Sequence, residues 1–188
     1  MCICDLLHPI AIRTKLLVLV HRNEAFKTTN TGRLAALTLG AGFLRWGERG
    51  VPRPALPEGR ILLLFPSDDA RALEPRDGEG DATLVVPDGT WPQARKIARR
   101  VAALAADRVT PVRVSDERVS GYTLRHTQRA GVVSTLESIA HALRILEGER
   151  GPEIATQTLA LFDAFIARHA PFSAGREPKS RREGPGDE

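Results

Sequence analysis

The sequence predicts an α/β fold in which a mainly parallel sheet is covered by helices on both faces. Three short apolar runs, each long enough for one strand, alternate with segments of helical periodicity. A continuous apolar run is typical of a strand buried on both faces, and alternation with helices favours parallel pairing. We therefore expect one domain over residues 1–172. Residues 173–188 lack apolar periodicity and are expected to form a disordered tail.

Strands are predicted first from the runs LLVLV, ILLLF and TLVV, at residues 16–20, 61–65 and 83–86. Weaker candidates lie at residues 111–114 and 43–46. Two segments carry no periodic pattern and are expected to be irregular, a proline-rich stretch at residues 47–59 and a second one at residues 74–81.

Helical spacing of apolar residues predicts four helices, at residues 31–39, 92–105, 135–146 and about 153–168. The second of them places Ala94, Ile97 and Val101 on one face and basic residues on the other. The third opens with the sequence STLE from Ser134, which is a capping-box pattern.

Composition is ordinary for a soluble globular protein, with 188 residues, 42% hydrophobic and 27% charged. The net charge of +4 favours anionic partners but does not by itself separate nucleic acid from general solubility. Its distribution is more informative. Between residues 90 and 113, six basic residues face one acid, Asp107; the basic ones are Arg95, Lys96, Arg99, Arg100, Arg108 and Arg113.

Cysteine content indicates a reducing compartment. Cys2 and Cys4 are the only cysteines, and a pair this close cannot cross-link distant loops. We therefore expect a cytoplasmic protein. The apolar run at residues 16–20 is too short to span a membrane, and no secretory signal pattern precedes it.

The segment Asp88-Gly89-Thr90-Trp91 is the strongest candidate for chemistry. It lies where the third predicted strand ends and a basic helix begins, which is where α/β folds build sites. Trp91 could stack on a nucleobase there, or it could belong to the core. Asp-Gly is also a common turn pair, so the residues alone leave a turn or a helix cap open for Asp88.

Polar segments follow the other two strands. His21-Arg22-Asn23-Glu24 ends the first, and Asn30-Thr31-Gly32-Arg33 opens the next helix, where free N–H groups and an arginine can bind a phosphate. An ordinary capped helix with a surface arginine explains the same residues. Pro66-Ser67 suits either a cofactor rim or a turn. Arg125 could pair with a carboxylate or a phosphate, or it could be solvated.

Together these blocks resemble the DTW-domain family. The match runs in the family's order through residues 21–24, 30–33, 62–66, 88–96 (DGTWPQARK), 122–125 and 134–137. Members of that family are tRNA-uridine aminocarboxypropyltransferases of the SPOUT class. The resemblance implies a SPOUT-like α/β fold with a C-terminal trefoil knot that binds S-adenosylmethionine.

The sequence departs from the family pattern in three places. Pro87 stands where a leucine is usual, and the stretch after Arg125 is short. Of the family's four-cysteine zinc knot, only Cys2 and Cys4 match, which is too few for a zinc site. Residues 1–12 are thus interpreted as the remnant of a zinc-binding segment, with either metal binding lost or the chain start truncated. We predict no metal ligands.

The resemblance implies transfer of the 3-amino-3-carboxypropyl group of S-adenosylmethionine to N3 of a uridine in tRNA, with methylthioadenosine released. Asp88 and Trp91 would be catalytic, Asp88 as a base or an orienting acceptor and Trp91 as a wall or stacking partner for the uracil. The implied cofactor contacts are Phe65, Pro66, Ser67, Pro87, Gly89, Thr90, Leu124, Arg125, Ser134 and Thr135. The implied tRNA contacts are His21, Glu24, Asn30, Thr31, Gly32, Arg33, Arg95, Lys96 and Arg99.

Three other classes of function stay open. They are a SPOUT-type S-adenosylmethionine-dependent RNA methyltransferase, a non-catalytic RNA-binding module, and a transferase acting on a small molecule. The basic helix at residues 92–105 argues against the last. The sequence does not decide between a monomer and a homodimer, nor which uridine is modified.

Overall fold

A six-stranded parallel sheet forms the centre of the fold, seen here in a computed structural model that describes residues 3–47, 50–115 and 134–173. The strands are β1 Lys15–His21, β2 Gly42–Trp46, β3 Arg60–Leu64, β4 Arg71–Ala72, β5 Ala82–Asp88 and β6 Val109–Arg113. Their spatial order is β2-β1-β5-β3-β6-β4, and every neighbouring pair is parallel. The predicted α/β class is therefore confirmed. The C-terminal trefoil knot stays a prediction, because residues 116–133 lie outside the described residues.

Within the described residues four helices cover the sheet, and they lie on both faces as predicted. They are α1 Thr31–Leu39, α2 Trp91–Leu104, α3 Thr135–Leu146 and α4 Gly151–Ser173. Short 3-10 helices occur at Cys4–Leu6, Pro75–Gly78 and Gly148–Arg150. Helices α1, α3 and α4 pack in one apolar cluster, and α2 packs in another.

Successive residues of each central strand point to opposite faces of the sheet, so they pack alternately in the two clusters. Leu16 and Val18 of β1 face the cluster with α1, α3 and α4, whereas Leu17 and Leu19 face α2. Because both faces are covered, the middle positions of such a strand are apolar on both faces, which explains the continuous runs in the sequence. Within the described segments, every helix is either too short or too polar to span a bilayer.

Helix caps set the starts of α1 and α3. The Asn30 side-chain oxygen accepts a hydrogen bond from the Arg33 N–H at 2.6 Å. At α3 the capping box is present: the Ser134 hydroxyl accepts from the Glu137 N–H at 3.2 Å, and Glu137 accepts from the Ser134 N–H at 2.8 Å. Side-chain caps satisfy N–H groups that a helix start leaves open, so both predicted starts are confirmed.

A buried carboxylate fixes the chain just before β1. Glu147, at the end of α3, accepts hydrogen bonds from the backbone N–H of Arg13 at 3.0 Å and of Thr14 at 2.7 Å, and from the Thr14 hydroxyl at 2.6 Å. Burial works to raise the pKa of Glu147, but these hydrogen bonds outweigh burial and hold the pKa below its usual value. The first strand is thereby tied to the helix layer.

Some element bounds differ from those predicted. Strand β5 runs through Pro87 to Asp88, with Pro87 in register with Leu19, so the proline does not end the strand. The segment at residues 74–81 contains the 3-10 helix Pro75–Gly78. The two-residue β4 was not predicted. Helix α4 includes Ser173, and the rest of the predicted tail, residues 174–188, lies outside the described residues.

Candidate active site at the carboxyl edge of the sheet

The topology itself marks one edge of the sheet. Strands β1 and β5 are neighbours, and the helices that follow them lie on opposite faces, α1 after β1 and α2 after β5. In open α/β sheets, ligands bind outside the carboxyl ends of strands at such a switch point. Strand β1 ends at His21 and β5 ends at Asp88, so both predicted segments lie at this edge.

The Asp88 carboxylate connects three elements. Its side chain is buried, with the residue 5% exposed. Oδ2 accepts a hydrogen bond from the Asn30 side-chain amide at 2.6 Å, and Oδ1 accepts one from the Thr135 hydroxyl at 2.5 Å. Strand β5, the cap of α1 and the first turn of α3 therefore meet at one carboxylate.

Gly32 allows this close approach. A Cβ atom at this position would lie 2.9 Å from Asp88 Oδ2 and 2.9 Å from Cγ1 of Val18. Such contacts are too short for real side chains, so any larger residue would push α1 away from the carboxylate. Gly32 thus has a structural task inside the protein, and its implied contact with tRNA stays a prediction, as does that of Thr31.

Trp91 lies on the other side of β5. Its ring centroid is 5.1 Å from that of Phe65, which belongs to the α2 cluster, and the guanidinium carbon of Arg95 is 5.9 Å from the indole centroid. The indole is 53% exposed. The Asp88 carboxylate instead lies with α1 and α3. The structure therefore places the two predicted catalytic side chains on opposite sides of one strand end.

A tight turn links the two sides. Gly89 has φ of +156°, and a Cβ there would lie 3.0 Å from the Gln93 side chain and 3.2 Å from Cβ of His21. The Gln93 side chain also accepts a hydrogen bond from the Thr90 N–H at 2.8 Å. The turn from β5 into α2 is thus held by the first turn of α2, and a residue other than glycine at position 89 would be strained by its φ angle and crowded by Gln93 and His21.

The His21 imidazole at this edge has a pKa below its usual value. Burial lowers its pKa, and the positive charges of Arg22 and Lys96 lower it further, while Glu24 acts in the opposite sense. Its Nδ1 accepts a hydrogen bond from the Asn23 N–H at 3.3 Å. Glu24 forms an ion pair with Lys27 at 2.7 Å.

The loop after β3 forms a compact turn beside this edge. Ser67 donates its N–H to the Phe65 carbonyl at 2.8 Å, and the Ser67 carbonyl accepts from the Ala70 N–H at 3.0 Å. Phe65 is buried, Pro66 is exposed and Ser67 is half-buried. Both the turn and the cofactor rim expected from the sequence are compatible with this geometry. Leu124 and Arg125 lie outside the described residues.

A basic surface flanks the site. Arg95, Lys96 and Arg99 are exposed along α2, and Arg33 is exposed in the first turn of α1. None of these four side chains forms an ion pair with a carboxylate of the described segments. Their charges are therefore available to a polyanion.

No cluster of three metal-ligating side chains occurs within residues 3–47, 50–115 and 134–173. Cys4 is exposed at the 3-10 helix Cys4–Leu6, and Cys2 lies outside the described residues.

Comparison with known proteins assigns the family. A family model described as the DTW domain matches residues 1–170. The chain belongs to the DTW-domain family. This confirms the family expected from the motifs at residues 21–24, 30–33 and 88–96.

Two curated relatives of this DTW-domain chain have the same name. It is 33% identical over 161 residues to tRNA-uridine aminocarboxypropyltransferase 2 of Drosophila melanogaster, covering 80% of this chain and 62% of the relative. It is 29% identical over 159 residues to tRNA-uridine aminocarboxypropyltransferase 2 of Macaca fascicularis, covering 78% and 53%. The chain therefore spans less than two thirds of the length of these relatives. No solved structure matches it.

Sequence reasoning missed how the site residues of this DTW-domain chain contact one another. Asn30 and Thr135 were assigned to tRNA and to cofactor, yet both bind Asp88. Each has a local explanation, Asn30 as the cap of α1 and Thr135 as the first residue of α3, which hid the shared contact. The available signal was their position: both stand at helix starts that face the carboxyl edge of a parallel sheet.

Proposed function

We propose that this chain transfers the 3-amino-3-carboxypropyl group of S-adenosylmethionine to N3 of a uridine in tRNA. The observation that carries the proposal is the buried Asp88 carboxylate, which lies at the switch point of the sheet within the motif DGTW. The activity for which the two relatives are named supports it. So does the exposed basic face of α2 beside the motif.

In this reaction the protein must align the uridine with S-adenosylmethionine and accept or direct the proton of uridine N3. S-adenosylmethionine supplies a methylene carbon that its sulfonium already activates. Uridine N3 loses its proton and bonds to that carbon, and the electron pair of the broken carbon–sulfur bond stays on sulfur in methylthioadenosine. Alignment of two reactants contributes about 7–11 kcal/mol in favourable cases. Extruding the uridine from its stack costs a few kcal/mol, by contrast.

Asp88 is proposed to accept the N3–H hydrogen bond of the uracil. Asn30 and Thr135 each occupy one acceptor position on a different carboxylate oxygen. Two oxygens offer about four such positions, so acceptor capacity remains for the base. The two protein donors hold the carboxylate plane in place, so that Asp88 either orients the uracil or takes its proton.

Three segments are proposed to hold S-adenosylmethionine. Strand β3 pairs with β5, so the loop after β3 lies beside the Asp88 turn, and α3 begins at the same carboxylate. These segments bring together the polar or backbone groups that a small cofactor needs. Their predicted contacts are Phe65, Pro66, Ser67, Pro87, Gly89, Thr90, Ser134 and Thr135, with Leu124 and Arg125 from the segment outside the described residues.

tRNA is proposed to bind across α2 and the start of α1. Trp91 offers an exposed indole on which a base can stack, and base–aromatic stacking contributes about 1–3 kcal/mol per base. Arg33, Arg95, Lys96 and Arg99 would hold phosphates around it, with His21, Glu24 and Asn30 nearer the base.

Labelled S-adenosylmethionine tests the proposed reaction. The protein is incubated with unmodified tRNA and cofactor labelled either in the carboxyl group or in the methyl group. We expect the carboxyl label in tRNA and the methyl label in free methylthioadenosine. Methyl label in tRNA would instead identify a methyltransferase, and tRNA binding with neither label transferred would indicate an RNA-binding module.

A further inference from the structure

A second exposed aromatic ring lies near the same edge of the sheet. Phe26, in the loop between β1 and α1, is 72% exposed, and the guanidinium carbon of Arg45 is 5.3 Å from its ring centroid. Trp91 and Arg95 repeat this arrangement at 5.9 Å. We propose that Phe26 and Arg45 form a second base-stacking site, which binds a nucleotide next to the target uridine. The inference rests on RNA being the substrate, as proposed above.

Strand register places this pair in line with the candidate active site. Val20 is in register with Asp88 of β5 on one side and with Arg45 of β2 on the other. Residues in register on parallel strands project from the same face, so Arg45 and Asp88 share a face. Two strand spacings separate them, which is about 10 Å. A separation of this size suits two neighbouring, unstacked nucleotides of one RNA strand.

Local charge favours RNA as the occupant. Between residues 21 and 46 the chain has four basic residues and one acid, Glu24; the basic ones are Arg22, Lys27, Arg33 and Arg45. Glu24 is already paired with Lys27. Phosphates of a polynucleotide match this excess of positive charge, and the ring with its arginine matches a nucleobase.

The core does not need the Phe26 ring. The neighbouring Ala25 is buried and anchors the loop, whereas the ring itself is turned to solvent. Loss of the ring should leave the fold intact. Leu37 on α1 offers a matched control, since it is also a large exposed apolar residue, at 52%.

Binding of an unmodified tRNA transcript tests the inference. Its dissociation constant is measured by fluorescence anisotropy, without S-adenosylmethionine, for wild type, Phe26→Ala, Phe26→Trp and Leu37→Ala. We expect Phe26→Ala to weaken binding by about fivefold or more, in keeping with the loss of one stacked base. Phe26→Trp should bind like wild type, as should Leu37→Ala. The salt dependence of Phe26→Ala should match wild type, because stacking releases no counterions.

Three results would overturn the inference. The first is an unchanged tRNA affinity in Phe26→Ala, and the second is an equal loss of tRNA affinity in Leu37→Ala. The third is loss of self-association in Phe26→Ala with its tRNA affinity intact, which would identify a protein interface instead. The assay needs no turnover, so it separates the two proposals. If Phe26→Ala weakens tRNA binding but the wild type transfers no group, only the proposed function is contradicted. If the wild type transfers the group but Phe26→Ala binds tRNA as tightly as the wild type, only the inference about Phe26 is contradicted.

Discussion

Asp88 is the single residue on which most of the site depends. Its two hydrogen-bond partners are distant in sequence, Asn30 by 58 positions and Thr135 by 47. The motif at Asp88 and both helix starts were predictable, because each is a pattern within four residues. Their contact was not predictable, because it arises only when β1 and β5 pair and α3 returns over the sheet.

Replacing Asp88 by asparagine tests its part in transfer. We expect Asp88→Asn to lose about 100-fold or more in transfer rate, because an amide is neutral and presents one of its two ends as a donor. Rates are measured on unmodified tRNA after circular dichroism has shown that the variant is folded. Full activity would reject both proposed roles of the carboxylate.

Asp77→Asn is the matched control. Asp77 is another buried carboxylate, 2% exposed, but it lies near the start of β3 and is held by Arg71 at 2.6 and 2.7 Å. The hydrogen bonds from Arg71 lower the pKa of Asp77 and outweigh burial. Asp77→Asn should lower the melting temperature and leave the transfer rate of the folded protein unchanged.

Two histidines should make the stability depend on pH. Burial lowers the pKa of His21 and of His141; at His141 the charge of Arg144 adds to this effect and that of Glu137 opposes it. The unfolded chain then binds more protons than the folded chain as pH falls through about 6.5, so protonation favours unfolding. Stability is full above that pH and declines below it.

Thermal unfolding between about pH 7 and pH 5 measures this effect. The melting temperature should fall as the pH falls, and His141→Gln should reduce the slope. The carboxylates with lowered pKa, Asp77 and Glu147, contribute at lower pH and do not confound this range. A melting temperature that does not change across the range would show that the histidines are not buried as described.

Among the elements, helix α2 carries the predicted RNA contacts. Charge reversal of Arg95 and Lys96 together should weaken tRNA binding and reduce the slope of affinity against salt, because each lost phosphate contact removes about 0.7–0.9 from that slope. Both side chains are exposed, so the fold should tolerate the change. Arg150→Glu, at the exposed 3-10 helix Gly148–Arg150, is the control and should lose little. Equal slopes for all three proteins would exclude α2 as the RNA surface.

Helices and strands were predictable from the sequence where a helix cap or a continuous apolar run identifies them. Helices α1 and α3 have the predicted bounds, since Asn30 and Ser134 cap their starts. Strands β1, β3 and β5 follow from continuous apolar runs. Strand β4 has two exposed residues and exists only through pairing with β6, with Arg71 in register with Val112. Nothing local to its sequence marks it.

At the level of the whole molecule, strand order decides where the site lies. The runs at β1, β3 and β5 are alike in composition, so the sequence does not say which of them are neighbours. The structure pairs β1 with β5 and sends their helices to opposite faces. This arrangement places Asp88 and His21 at a switch point, and it sets Arg45 in register with Asp88 through Val20.

Identification of the modified nucleoside tests the central proposal most directly. Unmodified tRNA is incubated with the protein and S-adenosylmethionine, digested to nucleosides, and analysed by mass spectrometry together with the small-molecule product. We expect uridine carrying an aminocarboxypropyl group at N3 and one methylthioadenosine for each modified uridine. A methylated nucleoside with S-adenosylhomocysteine, or tRNA returned unmodified by a protein that binds both substrates, would contradict the proposed function.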